Sequence, residues 1–319
     1  MQQFSSVSRQ HGLGECSKAT PIQAGLFKQN VLLKTENGEW IFRGDSHYTW
    51  QFPKERFFAH LIAKETGLPT PVPYLIDTSY KYFDYDFALM PKMPGMQLSD
   101  QALFESFSAT DQKKIAFTLG HTLRALQTYQ APFYGEFDEA AGAMVSYSQS
   151  YSQQLTQKVE TLVEASNMTR QTISDSEKHE LLNMFRTNEA FEASPPVITL
   201  QDYKDGNMCV AKVGDSWQVT GLFDLMEARF GHRLEDLPRQ YAVYIDAQRL
   251  DLAASFLQGY GLTRDDTNLF NRFLAIDRLI VWEYFARNVE GRGENILSEW
   301  MKRYSPVALP SFKEFTGEI

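Results

Sequence analysis

Two hydrophobic periods divide the chain. Over the first third, apolar and polar residues alternate in short runs, the period of half-buried strands. "NVLLKT" (residues 30–35) and "EWIFRG" (39–44) read as strands, and "ENG" between them offers Asn37 and Gly38 for the positive φ angles of a hairpin turn. "KERFFAHLIAK" (54–64) switches to helical spacing, with Phe57, Phe58, Leu61 and Ile62 on one side and Glu55 on another. Pro53 suits the first turn of this helix, and Gly67 and Pro69 end it. "YLIDTSY" and "YDFALM" are two further strands, the second ending at Met90. "PKMPG" (91–95) holds two prolines and a glycine, suits neither element, and reads as a linker.

Beyond Gly95 the period becomes helical. It runs through "DQKKIAFTLGHTLRALQTY", "SYSQQLTQKVETLVEA", "LPRQYAVYIDAQRLDLAASFLQGY" and "LFNRFLAIDRLIVWEYFARNV". Residues 197–224 are the exception: "VITL", "NMCVAK" and "WQVTGLFD" are strand-like. The pattern predicts an α+β chain in two lobes. A small β-rich lobe spans residues 1–93, and a larger, mostly helical lobe with an embedded hairpin spans 94–319. The cleft between them is the expected ligand site.

Composition narrows the picture. Of 319 residues, 43% are hydrophobic and 13% aromatic, enough for a sizeable core. A formal net charge of −9 argues against a nucleic-acid partner. Cys16 and Cys209 are far apart and make no metal-binding pair, and the histidines show no zinc spacing. Residues 1–13 are polar and lack the apolar stretch of a secretion signal, and no apolar run is long enough for a membrane. A cytoplasmic chain with no membrane partner is expected.

The chemistry gathers in "QDYKDGN" and the "FD" that closes the hairpin. Asp202 and Asn207 lie five residues apart, and Asp224 ends the next strand. Pairing of the two strands would bring Asn207 beside Asp224, an amide oxygen and a carboxylate that suit Mg²⁺ together with phosphates and water. Asp202, just outside that pair, is placed to take a proton from a hydroxyl.

These residues carry a resemblance. "DYKDGN" followed by "FDLMEARFGHRLEDL" resembles the core of the aminoglycoside phosphotransferase and choline-kinase-like family, relatives of the protein kinases. Asp202, Gly206 and Asn207 fall on the first half of its pattern, and Asp224, Gly231, Asp236 and Leu237 on the second. "RGDSHYTWQFPKERFFAHLIAKETGLPTPVP" is similar to its third strand and following helix, and "FALMPKMPG" to its linker. Leu200 stands in place of the pattern's first histidine, Arg43 in place of the strand lysine, and His232 where an aspartate is common.

The resemblance implies a bilobal protein-kinase-like fold and an ATP- (or GTP-) dependent phosphotransferase using Mg²⁺. Asp202 would be the base, with Lys204 contacting the transferred phosphate, and Asn207 and Asp224 would hold the metal. Arg43, paired with Glu55, would anchor the α- and β-phosphates. Gly25 and Lys28 stand in the reduced phosphate loop, and the Pro91 carbonyl and Met93 amide would meet adenine. Asp236 is expected to cap its helix and to brace the catalytic loop. Asp205, Glu227, Trp282 and Glu283 are candidates for the acceptor side. Acids beside an aromatic suit an ammonium, so an amine-bearing acceptor is expected, with a neutral sugar or alcohol as the alternative. The second functional reading is a pseudokinase-like module that binds nucleotide without turnover.

Overall fold

The alternation of the first third closes into one antiparallel sheet. The computed structural model describes residues 1–22, 30–46, 48–170, 173–185, 189–288 and 304, so Gly25 and Lys28 lie outside the described residues. Helix α1 (Gln2–Gln10) precedes β1 (Cys16–Ile22), β2 (Asn30–Thr35) and β3 (Gly38–Gly44). Helix α2 (Gln51–Thr66), β4 (Leu75–Asp77) and β5 (Phe87–Pro91) complete the lobe, with strand order β1-β2-β3-β5-β4. In the β2–β3 turn the positive φ falls on Gly38 alone, at 115°; Asn37 does not share it, contrary to expectation. Gly67 ends α2 at φ 69°, the left-handed cap that glycine adopts without a Cβ clash.

The two faces of this sheet meet different neighbours. Val31, Leu33, Trp40, Phe42, Phe87 and Leu89 point to one side and pack with Val7 of α1. Phe4 of α1 meets the Phe42 ring edge-on, 5.1 Å between centroids. Ala88 and Met90 point the other way, joining Phe58, Ala59 and Ile62 of α2 in the main core. The period of two places Arg43 on the Ile41 face. The strand thus aims its one cation at α2.

The chain then leaves β5 through residues 92–95 and pairs at once as β6 (Met96–Gln97) with the hairpin of β10 (Met208–Val213) and β11 (Ser216–Leu222). Gly95, at φ 99°, sits so close that a Cβ would lie 2.6 Å from the Val210 carbonyl oxygen, and Thr220 Oγ1 donates to the Pro94 carbonyl at 2.6 Å. A second sheet joins β7 (Gly135–Asp138), β8 (Ala143–Ser146), β9 (Val197–Thr199) and β12 (Arg229–Gly231) in the order β8-β7-β12-β9. Around these pack α3 (Gln101–Glu105), α4 (Ala109–Leu126), α5 (Tyr151–Arg170), α6 (Asp175–Phe185), α7 (Leu237–Asp246), α8 (Leu250–Tyr260) and α9 (Thr267–Asn288).

The long helical period over residues 237–260 does not make one helix. It breaks between α7 and α8, where Gln248 turns left-handed at φ 57° and Arg249 clamps Asp251 at 3.0 Å. Helices α4 and α8 touch backbone to backbone. A Cβ on Gly120 would lie 2.0 Å from the Phe256 carbonyl oxygen, and one on Gly259 would lie 2.0 Å from that of Phe117. The molecule is α+β, a small β-rich lobe followed by a larger, mostly helical one. Among the described residues no helix is long and apolar enough to cross a membrane.

Candidate active site

The site is built on the loop that joins β9 to β10. Pairing of β9 with β12 sets Thr199 opposite Arg229, which brings the start of α7 beneath the loop. There the buried Asp236 accepts the backbone N–H groups of Leu200 and Gln201, each at 2.7 Å. Burial pushes its carboxyl up to about 6 against the pull of those two bonds. The brace is as expected, but the cap is not: Asp236 occupies the N-cap position without a side-chain capping bond, because both oxygens are spent on the loop. Tyr203 pins the loop from within by donating to the Leu119 carbonyl at 2.7 Å, and the Asp205 N–H donates to Gln240 Oε1 at 2.6 Å.

Between these anchors Asp202 meets three donors. Arg239 Nη1 reaches one oxygen at 2.8 Å, and Lys204 Nζ and Asn207 Nδ2 reach the other at 2.7 and 2.9 Å. Arg239 is itself held by Asp277 of α9 at 2.7 Å. Burial draws the Arg239 guanidinium down, but Asp277 and Asp202 outweigh it and hold the group charged.

Asn207 ends a single turn of 3-10 helix, Asp205–Asn207, and its carbonyl accepts the Phe223 N–H at 3.1 Å. That bond sets the next residue, Asp224, beside Asn207. Asp224 holds φ 61°, a left-handed conformation that costs a non-glycine residue about 1–2 kcal/mol. Because the Asn207 amide nitrogen donates to Asp202, its oxygen turns the other way, toward Asp224. One amide oxygen and one partly exposed carboxylate are the hard donors that Mg²⁺ takes alongside phosphate and water, so the residues fit that ion.

Across the cleft, Arg43 Nη1 grips both Glu55 oxygens at 2.9 and 2.8 Å, and Nη2 reaches Asp224 at 3.3 Å. Glu55 is buried and also accepts from Tyr74 at 3.0 Å and Gln51 at 3.2 Å. Burial pulls Arg43 down, but Glu55 and Asp224 outweigh it and keep the guanidinium charged. Burial pushes the Glu55 carboxyl up, opposed by Arg43.

The remaining expected residues are scattered. Pro91 ends β5 opposite Trp40, and the Met93 side chain lies against Gly221 of the hairpin. Asp205 turns toward Gln240 and Tyr244 of α7, and burial raises its carboxyl. Glu227 is exposed. Trp282 and Glu283 are buried in α9, on faces roughly a third of a turn to either side of Asp277. His232 is a packing residue: it stacks on Phe273 at 4.9 Å and its Nδ1 accepts the Leu234 N–H at 3.1 Å. Burial pushes it down to about 3, with Arg233 adding to the effect, so it stays neutral.

Sequence reasoning missed Arg239, Asp277 and the cluster on Glu235. The latter accepts Arg229 Nη2 at 2.6 Å, Gln201 Nε2 at 2.5 Å and the Tyr151 hydroxyl. The available signal was Arg239 three residues beyond Asp236, one helical turn along α7.

An aspartate fed by a lysine and an arginine, a hard-oxygen pair and a braced cation facing it across a cleft form the class of site that handles phosphoryl groups. The chain belongs to the Phosphotransferase enzyme family, whose profile matches residues 18–270. No curated protein matches it by sequence. Among solved structures it is similar to a Ralstonia eutropha JMP134 protein described as an aminoglycoside phosphotransferase, at 18% identity and a TM-score of 0.63, covering 99% of this chain and 98% of that one. It is similar also to the GDP complex of aminoglycoside 2'-phosphotransferase-IIIa, at 16% identity and a TM-score of 0.61, covering 99% and 98%. A thermostable mutant of aminoglycoside phosphotransferase APH(4)-Ia, bound to AMP-PNP and hygromycin B, matches at 11% identity and a TM-score of 0.62, covering 93% and 97%. At such identities the likeness speaks for the fold.

Proposed function

We propose that the protein transfers the γ-phosphate of ATP or GTP to a hydroxyl of a small polar molecule. The observation that carries this reading is the convergence of Asp202, Asn207 and Asp224 under the Arg43–Glu55 pair. The solved neighbours bound to GDP and AMP-PNP support a purine nucleotide as donor. Arg43, fixed by Glu55, holds the α- and β-phosphates; its planar fork suits two phosphate oxygens at once. The Pro91 carbonyl and Met93 N–H take the base edge, in a lobe of residues 1–93 joined to one of 94–319. Asn207 and Asp224 hold Mg²⁺, which supplies positive charge against the phosphate oxygens.

Asp202 receives the proton of the acceptor hydroxyl. The acceptor oxygen bonds to the γ-phosphorus as the bond from that phosphorus to its bridging oxygen breaks, and the nucleoside diphosphate leaves. Lys204 now bonds the oxygen of Asp202 that it must free; moving to the γ-phosphate does both tasks. Arg239 keeps the other oxygen fixed and orients the group.

The reading is tested by supplying Mg²⁺, nucleotide and a panel of hydroxylated compounds and measuring phosphate mass gain on the acceptor. Asp224→Ala should bind nucleotide no better with Mg²⁺ than without it; equal metal enhancement in mutant and wild type would remove Asp224 from the metal pair. The second reading, a module that binds nucleotide without turnover, draws on Arg43 in the lysine's place. Nucleotide binding with no transfer to any acceptor and no hydrolysis would favour it. Of the acids that suggested an amine on the acceptor, Asp205 turns to α7 and Glu283 is buried in α9, which leaves Glu227.

A further inference from the structure

We propose that the acceptor carries an anionic group, a carboxylate or a phosphate, seated between Lys54 of α2 and Lys158 of α5 beside Arg229. The inference rests on the phosphotransferase reading for the word acceptor, and on the lysines for the charge.

The two lysines come from opposite lobes and look at the same place. On α5, Lys158 shares a face with Leu155 and Tyr151, three and seven residues before it. Tyr151 donates to Glu235, and Glu235 holds Arg229. The charges nearest the Lys158 amine are Arg229, Glu227, Asp277 and Arg239. Arg239 and Asp277 form the chain that ends on Asp202, so Lys158 stands on the hydroxyl side of the base, away from Arg43. From above, Lys54 is buried one residue before Glu55, with its amine 5.2 Å over the Trp50 ring. The charges around it are Glu227, Arg229, Glu136 and Glu55. Glu227 and Arg229 are common to both lists.

Among the described residues neither lysine makes a hydrogen bond or an ion pair. The carboxylates that would neutralise them are committed elsewhere. Asp277 serves Arg239 and Arg278, Glu235 serves Arg229, and Asp202 serves Arg239 and Lys204. Glu227 is the exposed exception, one carboxylate between two ammoniums. Burial, with Arg229 and Arg239 adding, pushes Lys158 down to about 7, and burial lowers Lys54 as well. Cations withdrawn from water without a counter-charge are costly, and an anion that enters between them removes the cost. An ammonium-bearing acceptor would add to it.

The test uses the full chain and slow acylation of its amines by N-hydroxysuccinimidyl acetate near neutral pH, read by peptide mass at Lys54 and Lys158. Protectants are hydroxylated carboxylates (glycerate, gluconate, serine), a hydroxylated phosphate (glycerol phosphate), neutral glycerol and glucose, and cationic choline and kanamycin. At least one acid should slow labelling of both lysines, about tenfold at a concentration about ten times its Kd, and the carboxylate and phosphate arms say which anion fits. Lys158→Met should abolish protection of Lys54 by that acid, while Lys158→Arg should retain it. No protection by any acid, or equal protection by the neutral or cationic compounds, overturns the proposal. Protection without phosphate transfer would count against the phosphotransferase reading alone. Transfer to glucose or kanamycin with no acid protecting would count against the anion seat alone.

Discussion

The two halves of the cleft are finished to different degrees. Around Arg43 every charge has its opposite in place: Glu55 grips the guanidinium with both oxygens, Tyr74 and Gln51 hold Glu55, and Asp224 closes the set. Around Lys158 the guanidiniums of Arg229 and Arg239 have consumed the nearby carboxylates, and the ammonium is left over. A preassembled half suits a ligand that is the same in every turnover, since its order is settled before binding. An unfinished half is completed by the molecule it selects, and its leftover charge sets which molecule that is.

The sharpest way to break this comparison is at the point where the halves meet. Asp202→Asn keeps the shape of the side chain and removes the proton acceptor. Turnover should fall on the order of 10²–10⁴, with nucleotide affinity unchanged by calorimetry. A mutant that turns over like wild type removes Asp202 from the base's role. On the finished side, Arg43→Ala should weaken nucleotide binding about 10- to 100-fold, the worth of one charge-assisted hydrogen bond. Arg43→Lys should be tolerated far better, since the cation matters more than the fork. Equal affinity in wild type and Arg43→Ala would mean that the preassembled corner serves something other than phosphate.

The smallest effect concerns the floor beneath both halves. His232 is pushed down to about 3, so the unfolded chain takes up a proton near pH 6.5 that the folded chain refuses. The stability from His232 is present above the unfolded value and is lost as pH falls from there toward about 3. Asp236, at about 6, works in the opposite sense: its contribution is present below the unfolded carboxylate value and is lost as pH rises through about 6. His232→Asn keeps a polar group and removes the titration. Between about pH 6.5 and 5.5 its unfolding free energy should lose the acid-side slope of up to about 1.4 kcal/mol per pH unit. An unchanged slope in denaturant titrations would show that His232 does not govern acid stability.

The proximity of Asn207 to Asp224 was legible in the chain because one hairpin makes it, and a hairpin is written in consecutive residues. Arg43 and Glu55 were legible for a similar reason: a strand's period of two and the helix that follows it fix which side each faces. Arg239, Asp277 and Lys158 were not. They sit on three helices far apart in sequence, and helical periodicity says which stripe is buried but not which charges at its edges meet. The break in residues 237–260 escaped because Gln248 carries no mark of the left-handed turn it makes. Helix α1 escaped because Phe4 and Val7 are almost its whole apolar stripe. Trp282 and Glu283 misled, since an aromatic beside an acid reads as a binding pair even where both are turned into the core.

The short passage between the lobes has a mechanical consequence. Only residues 92–95 separate β5 from β6, and of these Pro94 and Gly95 are already fastened to the hairpin through Thr220 and Val210. The pivot is therefore nearly a point, two residues long at Lys92 and Met93. Swinging about it moves the sheet as a lever whose near end hardly travels, so the mouth over Asp202 gapes widely while the wall beside Met93 keeps its distance. The nucleotide base rests near the axle and can ride through the swing, and the phosphorylated product leaves from the moving rim.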